Sequence, residues 1–143
     1  GIRMKKQGKL LLKYLLLFVM TVFVMGCFSV SAATKTGFVT QKGKTYYINK
    51  DGSKQKGWLE LKGKKYYFDA NSGEAVTNRF IQISRGVWFY FNASGQAVTG
   101  EQVINGQHLY FDASGRQVKG RYVWVKGQRR YYDANTGAWV RKR

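Results

Sequence analysis

The feature that most constrains this chain is a short phrase written five times: Tyr46-Tyr47-Ile48-Asn49 before Gly52, Tyr66-Tyr67-Phe68-Asp69 before Gly73, Phe89-Tyr90-Phe91-Asn92 before Gly95, Leu109-Tyr110-Phe111-Asp112 before Gly115, and Tyr131-Tyr132-Asp133 before Gly137. The copies recur roughly every twenty residues, a period that marks a stack of small repeated units rather than one folded-over core. Within each phrase one tyrosine never changes: Tyr47, Tyr67, Tyr90, Tyr110, Tyr131. Its neighbours do change, reading Tyr46, Tyr66, Phe89, Leu109, Arg130 on one side and Ile48, Phe68, Phe91, Phe111, Tyr132 on the other. Side chains alternate faces along a strand, so the variable set and the tyrosine set lie on opposite sides. A set that trades size behaves like core. A set that keeps both ring and hydroxyl predicts a surface that meets something, with cross-strand packing as the competing reading.

Turn chemistry surrounds each phrase. Lys42-Gly43, Lys62-Gly63, Arg85-Gly86, Asn105-Gly106 and Lys126-Gly127 precede it, and a two-residue turn with Gly second is a strong hairpin signal. The Asp or Asn that closes the phrase can bond its own backbone and open a second turn. Three residues past the later Gly stand Val76, Val98, Val118 and Val140. A lone hairpin of this size cannot bury its apolar face, so neighbours must cover it. The expected fold is all-β: about five stacked β-hairpin repeats, at about 37–56, 57–77, 78–99, 100–119 and 120–143, preceded by a hydrophobic N-terminal signal helix.

Residues 1–33 differ in kind. Met4 is the expected start, Lys5, Lys6, Lys9 and Lys13 follow, then an apolar run from Tyr14 to Phe28 and the small-residue stretch Ser29-Val30-Ser31-Ala32-Ala33. This is the pattern of a secretory signal cleaved after Ala32 or Ala33, leaving 34–143 as the exported repeat domain. An uncleaved anchor and lipidation at Cys27, the one cysteine, are the competing readings. Beyond residue 33 remain 20 of the 25 Lys and Arg against all 7 Asp and Glu, a net of +13. Such a surface suits polyanions, and export makes the teichoic acids and other anionic polymers of a Gram-positive wall the fitting class rather than nucleic acid.

Catalysis finds little support. Asp69, Asp112 and Asp133 occupy a slot that Asn49 and Asn92 also fill, which suits a turn former and not a general acid or base. His108 is the single histidine, with no partner for a metal set or a nucleophile-base pair. The expectation is no catalytic residue, no metal and no cofactor.

The stretch from Gly100 to Gly120, with its Asn105-Gly106-Gln107 turn, its Tyr110-Phe111-Asp112 phrase and its Gln117-Val118-Lys119-Gly120 close, resembles a glucan-binding repeat. Such repeats stand at the C-terminal end of streptococcal and lactic-acid-bacterial glucansucrases, and belong to the wider cell-wall-binding, choline-binding-like family. The resemblance covers about 37–143. It implies a β-solenoid that binds α-glucans such as dextran between successive hairpins, on a secreted or cell-surface protein of a Gram-positive bacterium, with the membrane met only through the signal segment. Carried over by position, it assigns the carbohydrate to Tyr47, Tyr67, Tyr90, Tyr110 and Tyr131, to Trp58 in the Gly-Trp slot, to Lys65, Trp88, His108 and Arg129 two residues before the tyrosine, and to Gln107. The choline-binding branch requires an aromatic cage. Here the Gly-Trp slot reads Phe38 and Trp58, then Arg79, Glu101 and Arg121, and Lys65 and Arg129 carry the wrong charge. Those departures favour a sugar over choline.

Overall fold

The computed structural model describes residues 35–142; the expected signal segment and helix lie outside them. Ten strands form five antiparallel hairpins: β1 (Gly37–Gln41) with β2 (Lys44–Ile48), β3 (Gly57–Leu61) with β4 (Lys64–Phe68), β5 (Arg79–Ser84) with β6 (Val87–Phe91), β7 (Gly100–Ile104) with β8 (Gln107–Phe111), and β9 (Arg121–Val125) with β10 (Gln128–Tyr132). A two-residue β11 (Trp139–Val140) joins the last pair. The described residues are all-β, and each expected repeat holds one hairpin.

Four hairpins turn as the sequence predicts. At Lys42-Gly43, Lys62-Gly63, Asn105-Gly106 and Lys126-Gly127 both residues have positive φ, near 50° and 75°, which matches the twist of the flanking strands. The third hairpin differs: only Gly86 of its turn has positive φ, and the pairing shifts between Gln82 and Ser84, bulging at Ile83. That extra residue lengthens the repeat and moves every position before it by one.

The Asp/Asn slot makes the second turn. In Asp69, Asp112 and Asp133 the Oδ1 atom accepts backbone N–H bonds of 2.7–3.0 Å from residues two to four further on, and Asn92 Oδ1 does the same at 3.0 Å. These donors hold carboxylates well: the Ser72 and Asn71 amides draw Asp69 below the usual carboxylate range, and the Thr136 and Asn135 amides do so for Asp133. At Asp112 burial pushes upward, but the Ser114 hydroxyl and the Arg116 and Ser114 amides outweigh it. In the first repeat Asp51 takes over, accepting from Ser53 N at 2.9 Å.

Past this turn the chain returns to the strand it left, pairing Ala75 with Phe68, Ala97 with Phe91 and Gln117 with Phe111. The same three residues reach back one hairpin: Ala75 N donates to Thr45 O, Ala97 N to Lys65 O and Gln117 N to Trp88 O, at 2.7–2.8 Å. Hairpins are thereby hydrogen-bonded to their predecessors.

The variable set is the core. Phe68, Phe91 and Phe111 are fully buried and Tyr66, Phe89, Leu109 and Tyr132 nearly so. The core is divided into one cluster per junction, each drawing on the two hairpins that meet there, and the third also on Ala138 of the fifth repeat. Val76, trailing the second hairpin, packs with Phe89 and Phe91 of the third, and Val118, trailing the fourth, packs with Val125 and Tyr132 of the fifth. The tyrosine set faces the other side of its own hairpin, but that side is covered in turn. Tyr47, Tyr67, Tyr90 and Tyr110 each pack against the core of the hairpin that follows. All five tyrosines are half-buried.

Candidate binding site

Strand pairing sets a second residue beside each invariant tyrosine, on the same face. The pairs are Phe38 with Tyr47, Trp58 with Tyr67, Phe80 with Tyr90, Glu101 with Tyr110 and Tyr122 with Tyr131. Sequence alignment places Arg79 and Arg121 in this slot; the register corrects it, setting them opposite Phe91 and Tyr132, where Gly57 stands in the second hairpin. The slot is therefore aromatic in four hairpins, and sequence reasoning misses Phe80 and Tyr122. Counting from the turn finds Tyr122, which lies four before Lys126 as Trp58 lies four before Lys62. For Phe80 the bulge at Ile83 breaks that count.

A third side chain arrives from the next hairpin. Phe38 lies 5.1 Å from Tyr47 and 5.0 Å from Tyr66; Trp58 lies 5.1 Å from Tyr67 and 4.9 Å from Phe89; Phe80 lies 4.8 Å from Tyr90 and 6.5 Å from Phe111. These are mostly edge-to-face contacts of the kind aromatic rings prefer. Phe38 and Trp58 remain 44% and 38% exposed, so each of these two junctions shows part of an aromatic side chain to solvent above a buried floor.

Between the second and third hairpins this arrangement opens into a cavity of about 340 Å³. Trp58, Leu59, Ile83, Val87 and Phe89 supply its apolar wall, Glu60, Lys65 and Arg116 its charges, and Ser84 and Ser114 line the rest. Lys65, one of the expected ligand residues, lies at its edge and donates from Nζ to Ser114 O at 3.1 Å, which ties the second hairpin to the turn after the fourth.

The fourth junction is built differently. Glu101 replaces the slot aromatic and Arg130 replaces the core aromatic that should meet it, and the two form an ion pair, with Lys126 Nζ 3.1 Å from the same carboxylate. Arg130 is only 9% exposed and also lies 3.9 Å from the Trp139 ring. The hydrogen bonds of Lys126 and then Arg130 hold the Glu101 carboxyl below its usual range. The two swaps are legible together only: Arg130 in a core column looks wrong until Glu101 is placed across from it.

The remaining expected residues fall into three places. Trp88 and Tyr90 share the tyrosine-bearing face of the third hairpin, Tyr90 packed against the fourth hairpin and Lys119 Nζ 5.1 Å from the centre of the Trp88 ring. His108 is exposed and 6.2 Å from Trp139, beside a small cavity of about 210 Å³ shared with Glu101 and Lys126; Gln107 is exposed at the start of β8, opposite Ile104, and Tyr110 lies beneath, 5.8 Å from Tyr132. Arg129 and Tyr131 lie at the far end, around Tyr122. Tyr47, Trp58 and Tyr67 belong to the first two junctions.

Hairpins hydrogen-bonded in series, with aromatic clusters at their junctions, define a class of repeat module rather than a globular domain with one active-site pocket. A family model described as a choline-binding repeat matches residues 35–80 and 98–143, and one described as a putative cell wall binding repeat matches 78–97. The chain belongs to this choline-binding, cell-wall-binding repeat family. It is 47% identical over 102 residues to Glucosyltransferase-S of Streptococcus mutans, covering 71% of this chain and 7% of that protein, and 44% identical over 133 residues to Glucosyltransferase-I of Streptococcus downei, covering 77% and 8%. It thus spans less than a tenth of the length of these relatives. The crystal structure of choline binding protein F from Streptococcus pneumoniae is similar in fold, with a TM-score of 0.62 at 30% identity over 74% of this chain and 38% of that one.

Proposed function

We propose that this chain is a secreted, non-catalytic module that binds α-glucan polymers of the dextran type at several hairpin junctions at once. On this reading the hairpins wind into a β-solenoid, and Trp58, Tyr67 and Lys65, with Tyr47, Trp88 and Tyr90 on the flanking hairpins, contact the sugar. The observation that carries the choice of ligand is the ring spacing. A quaternary ammonium is held within about 6 Å of each ring of a cage, so the rings must stand apart around it. Rings 4.9–5.1 Å apart at the Trp58 junction already touch one another. They offer a platform with an exposed edge, suited to the C–H face of a sugar, while Glu60 and Arg116 can bond its hydroxyls. The similarity to glucosyltransferases favours the same ligand.

A second reading keeps choline as the ligand. It gains from the aromatic slot being filled by Phe80 and Tyr122 as well as Phe38 and Trp58, and from the similarity to choline binding protein F. Magnitude separates how the two would look. A sugar covering about 50 Å² of ring gains about 1.3 kcal/mol at about 25 cal/mol/Å², so one junction is weak and tight retention needs several on one polymer. The test is retention of the chain on dextran beads and on choline-agarose, at low and high salt. Salt-resistant retention on dextran that short oligosaccharides barely compete is the expected result. Retention on choline-agarose alone would transfer the assignment to the second reading.

A further inference from the structure

The five hairpins share one plan, and the third departs from it where it meets the second. Its pairing runs Gln82 with Trp88 and then Ser84 with Val87, so Ile83 is an extra residue on one strand. A bulge bends its strand and re-aims the side chains beside it. Ile83, Ser84 and Val87, the residues around this bulge, all line the cavity that Trp58 borders. At the fourth junction, where the pairing is regular, the cavity is about 210 Å³ against about 340 Å³ here. The smaller cavity is lined by two hairpins, whereas the larger also takes Ser114 and Arg116 from the turn after β8.

That third contribution changes what can lie in the groove. Trp58 and Glu60 stand on one face of β3, and Lys65 pairs with Glu60, so along that face the exposed ring comes first and Lys65 lies beyond it, toward the turn. There Lys65 Nζ donates to Ser114 O, 49 residues later, at 3.1 Å. The bond joins the wall built by the second hairpin to the wall built by the turn after the fourth. A polymer stacked on Trp58 and pointing toward the turn runs into it. A sugar unit inside a chain is tethered through two oxygens on opposite sides of its ring, so one neighbour must leave through the bridged end. An end unit is tethered through one. We infer that this junction, its ligand being the α-glucan assigned above, takes a terminal glucosyl unit, at a chain end or a one-unit branch, and refuses units within the chain; the end site rests on that assignment of the glucan. The size agrees, since about 340 Å³ stands at the small end of the range of ligand pockets, about 300–1,000 Å³. Such a junction responds to the number of ends a glucan carries, where an open platform responds to its length.

The full chain titrated with isomaltotriose and with a cyclic isomaltooligosaccharide, which has the same linkage and no end, tests this. The signal is the Trp58 indole N–H resonance, identified by its loss in W58F, with retention on dextran beads measured alongside. The linear ligand should bind there about tenfold or more tightly than the cyclic one, because a chain barred from a pocket forfeits its contacts. K65A removes the bridge and should bring the two within about twofold of each other. Among dextrans of equal mass, retention of the unmodified chain should rise with the number of branches, and W58A should lose that dependence. Equal Trp58 shifts with linear and cyclic ligand would overturn the end site and leave the glucan assignment standing. So would a Trp58 silent to isomaltotriose in a chain that dextran retains, or a K65A chain of native β signature that still refuses the cyclic ligand. Failure of the beads to retain the chain overturns both. The linear-against-cyclic comparison in the unmodified chain decides the matter even where K65A does not fold.

Discussion

Gly115→Ala should be far more damaging than a glycine substitution in a turn usually is, and the structure says by how much. Gly115 has φ +92°, where an L-residue with a Cβ pays about 1–2 kcal/mol. The added Cβ would also stand 3.1 Å from Phe89 Cδ1 and 3.2 Å from Cε1, in the preceding hairpin. Phe89 is 5% exposed, with the Trp58 and Phe91 ring centroids at 4.9 Å and 6.4 Å, and can give way only toward the cavity it borders. Overfilling a packed site costs about 1–3 kcal/mol, for a total of about 2–5 kcal/mol. Gly106→Ala is the control, since Gly106 has φ +77° and a methyl group there would meet nothing within 4 Å, so only the conformational cost of about 1–2 kcal/mol applies. Urea melts of both variants, followed by tryptophan fluorescence and by far-UV circular dichroism, give the difference. Combining Gly115→Ala with Phe89→Leu should recover about 1 kcal/mol or more of the packing cost relative to additivity. Equal losses for the two glycine variants, or strict additivity with Phe89→Leu, would mean that close approach of turn to hairpin does not set the spacing of the stack.

Phe91→Ala, at a fully buried position in the middle of the stack, should cost about 3–5 kcal/mol in the same melts. Trp58→Ala should reduce retention on dextran several-fold while far-UV circular dichroism keeps the β signature, because Trp58 is 38% exposed and borders the cavity between the second and third hairpins. Acidification should destabilise the fold through the turn aspartates. Their folded pKa values lie below the unfolded ones, so their contribution is complete at neutral pH and fades as pH falls below about 4. A melting temperature that holds from pH 7 to 5 and drops by pH 3 is expected, and Asp69→Asn with Asp133→Asn should flatten the drop. Glu101→Gln should speed hydrogen exchange in β9 and β10 more than in β3 and β4, since it leaves the buried Arg130 without its carboxylate.

The hairpins are legible in the sequence because their signals are local. Positive φ at Lys-Gly and Asn-Gly turns and an Asx oxygen bonding the next amides need only neighbours in the chain. The split into a variable buried set and an invariant tyrosine set is legible too, since alternation along a strand requires no tertiary knowledge. What the tyrosines meet is not. Their face is closed by the following hairpin, and a property that depends on how two units approach leaves no mark on either alone. The slot opposite the tyrosine is misread in two repeats for a different reason: it is counted from the glycine before the strand, and Arg79 and Arg121 stand where that glycine would be. Strand pairing, set by the turn, restores Phe80 and Tyr122. Arg130 and Glu101 illustrate the same limit, each odd by itself and sensible only as a pair across a junction.

The trailing valines give the stack a direction. Val76 and Val118 belong in sequence to one hairpin and in space to the core of the next, so a hairpin receives part of its wall from the chain that precedes it. In a chain that emerges N-terminus first, each new hairpin therefore finds its missing side already built when it arrives. Folding can keep pace with emergence one unit at a time, and the two ends of the array differ in what they lose: removing hairpins from the front takes the trailing valine from its new leading member, whereas trimming from the back uncovers a tyrosine face.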